Sequence, residues 1–128
     1  MRNPEVLNKL IWKTYFERPT SDLINRIIGV NKVATGIYKI TNNLNSKVYI
    51  GQSVDISTRL KAHIKAGLGI DSSNNKLYTE MKDIGVENFS FEIIEECERA
   101  QLNERERFWI EYYQSTDFGY NIQKGNKL

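Results

Sequence analysis

A carboxylate stands among apolar residues in the last helix that the sequence predicts, at about residues 100–113. At about 100° per residue, Glu106 points between the apolar positions of that helix. These positions are Leu102, Trp109, Ile110, Tyr112 and Tyr113. A carboxylate in such surroundings costs free energy unless it is paired or binds a cation. We therefore expect Glu106 either to hold a cation or to form an ion pair with Arg105, which falls near the same side.

Two basic side chains share one face of the helix predicted after Asp55. Arg59 and His63 are four residues apart, so both can touch the same ligand. The planar guanidinium fork suits phosphate oxygens, whereas a lone histidine is more often structural than catalytic. On the solvated side of this helix we expect Lys61 and Lys65, where they would meet a polyanion.

Two tyrosines, Tyr38 and Tyr49, occupy alternating segments on either side of a polar turn. Across a β-hairpin such a pair usually serves packing, and spacing alone favours that interpretation. Gly36 and Gly51 lie in the same segments, where glycine marks a bulge or a close backbone approach.

The formal net charge of the 128-residue chain is only +2, from 18 basic and 16 acidic residues. This value hides a gradient, because residues 1–34 carry +3, residues 35–79 carry +4 and residues 80–128 carry −5. Such asymmetry hints at a surface that faces a polyanion. Two solvated faces of opposite sign explain the same numbers, and charge alone favours that simpler interpretation.

Other sequence features exclude several classes of protein. No stretch without charged residues exceeds seven residues, which is too short for a membrane span. No leader of charged and then apolar residues opens the sequence. Cys97 is the single cysteine and His63 the single histidine, which argues against an internal disulfide and a structural zinc site. We therefore expect an intracellular, cytoplasmic protein with no membrane partner.

The first 34 residues predict a helical hairpin. Asn3 followed by Pro4 is typical of a helix start. Apolar residues then recur at helical spacing in two segments, the second of which ends at Gly29. Two helices with apolar stripes and a short link are expected to pack on the rest of the chain.

The pattern then changes from helical to alternating. Residues 36–41 and 47–51 alternate on either side of turn residues, which predicts a β-hairpin. A helix over residues 55–67 follows, and a second helix ends at Gly85. Alternation over residues 89–93 predicts a third strand before the last helix.

Two tripeptides carry a resemblance to a known family. Gly36-Ile37-Tyr38 and Tyr49-Ile50-Gly51, with ten residues between them, resemble the signature of the GIY-YIG endonucleases. Arg59 and His63 follow at the family's spacing, and residues 104–110 resemble its glutamate helix. The tail Gly119-Tyr120-Asn121 resembles its terminal asparagine motif. The five elements occur in the family's order, and the likeness is greatest to the nuclease domain of phage-type homing endonucleases.

The resemblance implies an α/β (α+β) fold, with a three-stranded antiparallel β-sheet flanked by helices. Residues 1–34 lie outside the resemblance, and their apolar spacing adds the N-terminal helical hairpin to this fold. Residues 1–34 would form a helical extension packed on the core, and residues 35–128 the nuclease domain. The implied activity is hydrolysis of DNA phosphodiester bonds with the help of a divalent metal ion.

The resemblance also implies roles for single residues. Glu106 would bind one divalent cation, Mg²⁺ or Mn²⁺, since a hard ion keeps most of its waters. Arg59 would neutralise charge on the attacked phosphate. Tyr49 and His63 would orient water, phosphate or Tyr38, while Asn121 would hold the metal-binding helix or a neighbouring polar group in place.

Tyr38 would be the general base, although the pKa of a free tyrosine is near 10. It can take a proton only if cationic groups stabilise its phenolate or if it relays the proton to His63. The sequence leaves both routes open.

Four lysines are expected to contact DNA: Lys39, Lys47, Lys61 and Lys65. One active site cuts one strand at a time, so a double-strand break would need a homodimer or two successive events. The alternative function is a catalytically inactive nucleic-acid-binding module on the same scaffold, whose binding would weaken with salt.

Overall fold

The computed structural model describes residues 34–69 and 75–122. Three strands, β1 (Gly36–Asn42), β2 (Val48–Ser53) and β3 (Phe89–Glu96), form an antiparallel sheet in the order β2-β1-β3. The predicted sheet and its flanking helices are confirmed. The helical hairpin predicted for residues 1–34 lies outside the described residues, apart from Ala34.

In the described part of the chain four α-helices accompany the sheet: α1 (Ile56–Gly67), α2 (Lys76–Ile84), α3 (Leu102–Tyr113) and the single turn α4 (Ser115–Phe118). Local side-chain chemistry explains where they begin and end. The carboxylate of Asp55 accepts a hydrogen bond from the backbone N–H of Thr58 and caps α1. Gly85 ends α2 with a φ of 97°, in the left-handed region that favours glycine. None of the described helices is long and apolar enough to span a membrane.

The two faces of the sheet are covered by different helices because side chains alternate along each strand. Tyr38 and Ile40 of β1 share a core with residues of α1 and α2, such as Leu60 and Met81. Ile37 of β1 belongs to a second core. That core also contains Val48 and Ile50 of β2 and Leu102 and Ile110 of α3. Since β2 is an edge strand, groups from the two faces can approach one another around its outer edge.

The predicted apolar side of α3 is only partly correct. Leu102 and Ile110 are buried, whereas Tyr112 is 65% exposed. Tyr112 follows Ile110 by two residues, which turns it by about 200° away from the sheet. It packs instead on the surface with the neighbouring ring of Phe108, at 6.3 Å between ring centroids.

Candidate active site

The central feature of the site is a chain of two tyrosines and a histidine. The hydroxyl of Tyr38 lies 2.7 Å from Nε2 of His63, and the hydroxyl of Tyr78 lies 2.8 Å from Nδ1 of the same ring. Tyr38 comes from β1, His63 from α1 and Tyr78 from α2. His63 is 1% exposed, so both of its ring nitrogens find their partners inside the protein.

Burial keeps this chain neutral. It raises the pKa of Tyr38, an effect larger than the opposing attraction of Arg59. Burial, followed by the positive charge of Arg59, lowers the pKa of His63 to about 3. The phenol and the imidazole are therefore both uncharged near neutral pH, and a resting phenolate on Tyr38 is disfavoured.

Arg59 and Tyr49 complete this side of the site. The exposed guanidinium of Arg59 hydrogen bonds to the hydroxyl of Tyr38. The hydroxyl of Tyr49 is also within hydrogen-bonding reach of Tyr38, and its ring packs edge-on to His63 at 5.4 Å between centroids. The structure thus brings together the four residues that the sequence singled out on the first two strands and the following helix.

Gly51 explains how the ring of Tyr38 reaches this position. Gly51 is the cross-strand partner of Tyr38, and a Cβ added at Gly51 would overlap the end of the tyrosine ring. At Gly36 an added Cβ would meet the backbone of Glu95, next to the register shift between Ile37 and Tyr38. Both glycines therefore mark close approaches, as expected from their position in strands.

Glu106 is half-buried on α3 and is held by an amide. Nε2 of Gln52 donates to Oε1 of Glu106 at 2.9 Å and to Oδ1 of Asn103 at 2.8 Å. Burial raises the pKa of Glu106, and the hydrogen bond from Gln52 opposes that rise. The charge of Glu106 also raises the pKa of Tyr49, so the carboxylate on α3 is electrostatically coupled to the tyrosine on β2.

The ion pair considered between Glu106 and Arg105 does not form. Nε of Arg105 instead donates to both carboxylate oxygens of Glu95 on β3, at 2.8 and 3.0 Å. Nε1 of Trp109 donates to Oε1 of Glu95 at 2.8 Å. Among the residues that the structure describes, Glu106 has no basic partner, so its charge calls for a cation from outside.

Asn121 contacts β2 and not the helix that carries Glu106. Its Oδ1 accepts from the backbone N–H of Ile50 and its Nδ2 donates to the carbonyl of Ile50, both at 2.9 Å. The N–H of Tyr120 donates to the carbonyl of Val48, also at 2.9 Å. The tail therefore covers the open edge of the sheet beside the site.

Comparison with known proteins identifies the family to which this chain belongs. The family model described as "GIY-YIG catalytic domain" matches residues 34–121, well over half of the chain. The chain belongs to the GIY-YIG family. The resemblance inferred from the sequence is confirmed, and with it the assignment to the class of GIY-YIG endonucleases.

The chain is similar to named proteins and solved structures over most of its length. Intron-associated endonuclease 1 of Enterobacteria phage T4 is 40% identical over 90 residues, which are 69% of this chain and 36% of that protein. The chain thus spans about a third of the length of this curated relative. The catalytic domain of homing endonuclease I-TevI superposes with a TM-score of 0.63 at 38% identity and covers 70% of this chain and 98% of that domain. A mutant of the same catalytic domain gives the same TM-score and identity over 73% of this chain and 97% of that domain.

A hard divalent cation fits the donors of this GIY-YIG site. Glu106 supplies one oxygen ligand in half-buried surroundings, and no group of three His, Cys, Asp or Glu side chains gathers elsewhere in residues 34–69 and 75–122. A single carboxylate with water in the remaining positions is how Mg²⁺ is commonly held. The residues present therefore fit a divalent ion held by one carboxylate.

The four predicted lysines differ in their surroundings. Nζ of Lys39 lies 3.0 Å from Glu92 and 3.3 Å from the hydroxyl of Tyr113, so its charge is already engaged. Lys65 is exposed, and Lys47 and Lys61 are partly exposed. Their contact with DNA stays a prediction.

Two residues of the GIY-YIG site were not recognised as such in the sequence. Gln52 follows Ile50 by two residues on β2, so both side chains lie on the face of the sheet that α3 covers. The strand pattern in the sequence already contained this information. Tyr78 lies on the helix that the sequence predicts to end at Gly85, and its spacing alone does not single it out. Its contact with His63 depends on how α1 and α2 pack, which the sequence pattern does not specify.

Proposed function

We propose that this protein is a divalent-metal-dependent endonuclease that hydrolyses phosphodiester bonds of DNA. The observation that carries the proposal is that two reactive groups lie beside β2, on the two faces of the sheet, and are electrostatically coupled. One is the neutral chain of Tyr38 and His63 beside Arg59. The other is Glu106, a half-buried carboxylate without a basic partner among the described residues. The relatives named as endonucleases support the same assignment.

Arg59 binds the attacked phosphate. Its guanidinium is exposed on one side and anchored to the hydroxyl of Tyr38 on the other, so the fork is oriented before the substrate arrives. A preoriented positive charge stabilises the negative charge that gathers on the phosphoryl oxygens in the transition state.

Tyr38 passes a proton on and does not rest as a phenolate. Its oxygen accepts a proton from the attacking water while its own proton moves along the 2.7 Å hydrogen bond to Nε2 of His63. His63 is a weak base in the free protein, partly because of the charge of Arg59. A phosphate bound to Arg59 offsets that charge, so the substrate itself makes His63 a better proton acceptor.

Glu106 holds the cation, with Gln52 orienting the carboxylate. When bound, a divalent ion supplies Lewis-acid stabilisation of charge on the phosphate and the leaving oxygen. Mg²⁺ is the ion we propose, with Mn²⁺ as a substitute, because the single carboxylate leaves most positions to water.

The test is nicking of supercoiled plasmid by the wild type, Glu106→Ala and Arg59→Ala, with Mg²⁺ or with EDTA. We expect the wild type to cut only with Mg²⁺ and both variants to lose activity while still unfolding in one cooperative transition. Full activity of Glu106→Ala would exclude the metal-ligand role. Salt-sensitive binding without cleavage by any divalent ion would favour the inactive binding module instead.

Two finer points belong to this proposal. Lys47, Lys61 and Lys65 extend the DNA-binding surface. Replacing Lys61 and Lys65 by alanine reduces the slope of the logarithm of the binding constant against the logarithm of the salt concentration by about one for each lost phosphate contact.

Double-strand cleavage proceeds by a homodimer or by two successive cuts. Light scattering in the presence of DNA, together with the time course of linear product, distinguishes these two routes.

A further inference from the structure

Tyr78 has a hydroxyl in the site but no part in the proton route described above. It is 7% exposed on α2, and its oxygen lies 2.8 Å from Nδ1 of His63, on the side of the ring opposite Tyr38. Tyr38, His63 and Tyr78 therefore form one hydrogen-bonded line across three elements of the fold. The tautomer of His63 decides which group donates and which accepts in each of the two hydrogen bonds.

A neutral imidazole carries one N–H and one acceptor nitrogen, so only two directions are possible. In the first, Tyr78 donates to Nδ1 and Nε2–H donates to Tyr38. In the second, Tyr38 donates to Nε2 and Nδ1–H donates to Tyr78. The two directions differ in what Tyr38 can do.

Only the second direction lets Tyr38 act as a base. A phenol oxygen has two acceptor positions, and Arg59, which can only donate, takes one of them. If Nε2–H took the other, the oxygen of Tyr38 would have no position left for a water proton. When Nε2 is the acceptor, the remaining position faces Tyr49 or a water that replaces it.

The charge of Arg59 favours the same direction. Its charge acts most strongly on Tyr38 and less on Tyr78, and it lowers the pKa of the imidazole between them. Near a positive charge, O–H and N–H dipoles are more stable when their hydrogens point away from it. This places the ring proton on Nδ1, where it needs an acceptor in a buried position, and Tyr78 supplies that acceptor.

We propose that Tyr78 is a positioning residue that accepts the Nδ1–H of His63 and thereby keeps Nε2 free to receive the proton of Tyr38. The inference rests on the proposed nuclease function, because it explains how Tyr38 is readied as the base. It concerns a hydrogen bond that exists without metal or DNA. It can therefore be measured in the protein alone.

The first measurement is the protonation of the two ring nitrogens by long-range ¹H–¹⁵N NMR, at about neutral pH and with no histidine tag left on the chain. His63 is the single histidine, so its signals are unambiguous. We expect a protonated Nδ1 and an unprotonated Nε2 in the wild type. In Tyr78→Phe the Nδ1–H would be buried without an acceptor, so the proton should move to Nε2 and donate to Tyr38. A wild-type Nε2–H form would overturn the proposal even if the variant failed to fold.

The second measurement is plasmid nicking by the same proteins with Mg²⁺. General acid–base groups accelerate a reaction by roughly 10²- to 10⁴-fold. We expect the nicking rate of Tyr78→Phe to fall by at least about tenfold, while its affinity for DNA stays unchanged. Tyr112→Phe removes an exposed tyrosine hydroxyl and should leave both the tautomer and the rate as in the wild type. A wild-type tautomer or a wild-type rate in Tyr78→Phe would each contradict the proposal. If the wild type cuts no DNA, the proposed function fails, while the spectrum still decides the direction of the hydrogen bonds.

Discussion

Replacement of Asn121 by alanine separates a scaffolding role from a catalytic one. The side chain makes two hydrogen bonds of 2.9 Å to the backbone of Ile50 on the edge strand β2. Within residues 34–69 and 75–122 no other strand can take them over, because β1 pairs with the other side of β2. At about 1 kcal/mol of net stability for each bond, Asn121→Ala should destabilise the protein by about 2 kcal/mol.

Thermal and urea unfolding measure this loss directly. At about 4 °C per kcal/mol, the melting temperature should fall by about 8 °C, and the urea midpoint should fall without a change in slope. Nicking should also decline, since β2 carries Tyr49 and Gln52, but lowering the assay temperature should restore most of it. The physical reason is that the variant loosens the strand without removing any group that touches the substrate.

Two further variants sharpen the result. Asn121→Asp keeps an acceptor for the N–H of Ile50 but repels its carbonyl, so its melting temperature should lie below that of the wild type. Asn43→Ala removes an exposed side chain that bonds only to Ser90 among described partners, and its effect should stay within about 0.5 kcal/mol. The reasoning fails if Asn121→Ala unfolds at the wild-type temperature yet no longer cuts DNA, because Asn121 would then act on the substrate.

Three other predictions follow from the same structure. Burial raises the pKa of Glu106, so in metal-free buffer its ionisation removes stability as the pH rises through the raised value. Glu106→Gln should therefore melt above the wild type at about pH 8 and converge with it near pH 4, the region of the unfolded carboxyl. Mg²⁺ should raise the melting temperature of the wild type alone, and equal melting of both proteins at both pH values would contradict this prediction. Gly51→Ala places a Cβ against the ring of Tyr38, which should cost about 1–3 kcal/mol and abolish nicking; a fully active variant would show that the ring has room to move. Gln52→Ala removes the donor to Glu106 and should weaken Mg²⁺ binding about tenfold, in line with the loss of other groups that orient metal ligands. Asn103→Ala, which removes only the other partner of Gln52, should bind Mg²⁺ like the wild type in the same titration, and equal losses in both would count against the role of Gln52.

Local chemistry made much of the fold predictable. Alternation over residues 36–41, 47–51 and 89–93 predicted the three strands, and each lies within an observed strand or its immediate turn. Asp55 and Gly85 marked a helix start and a helix end because capping depends on groups only a few residues away. The helical hairpin over residues 1–34 stays a prediction, since it lies almost entirely outside the described residues.

Partners across the fold were not predictable in the same way. Arg105 and Glu106 are neighbours on one helix, and an ion pair between them was as consistent with the helical wheel as a cation site. Only the packing of α3 on the sheet brings Glu95 of β3 to Arg105 and Gln52 of β2 to Glu106. Such choices depend on how elements are placed relative to one another, which periodicity along the chain does not encode.

By itself the sequence determined which groups are available for chemistry and how the chain is divided into strands and helices. The tripeptides around Tyr38 and Tyr49, together with Arg59, His63 and Glu106, were enough to identify the family, because their types and spacing are local properties of the chain. Tertiary structure decided the protonation chemistry. It buries Tyr38 and His63, joins both to Tyr78 in one hydrogen-bonded line and brings the charge of Arg59 close to that line. Burial and neighbouring charge set proton affinities, and both arise only when separate elements pack together.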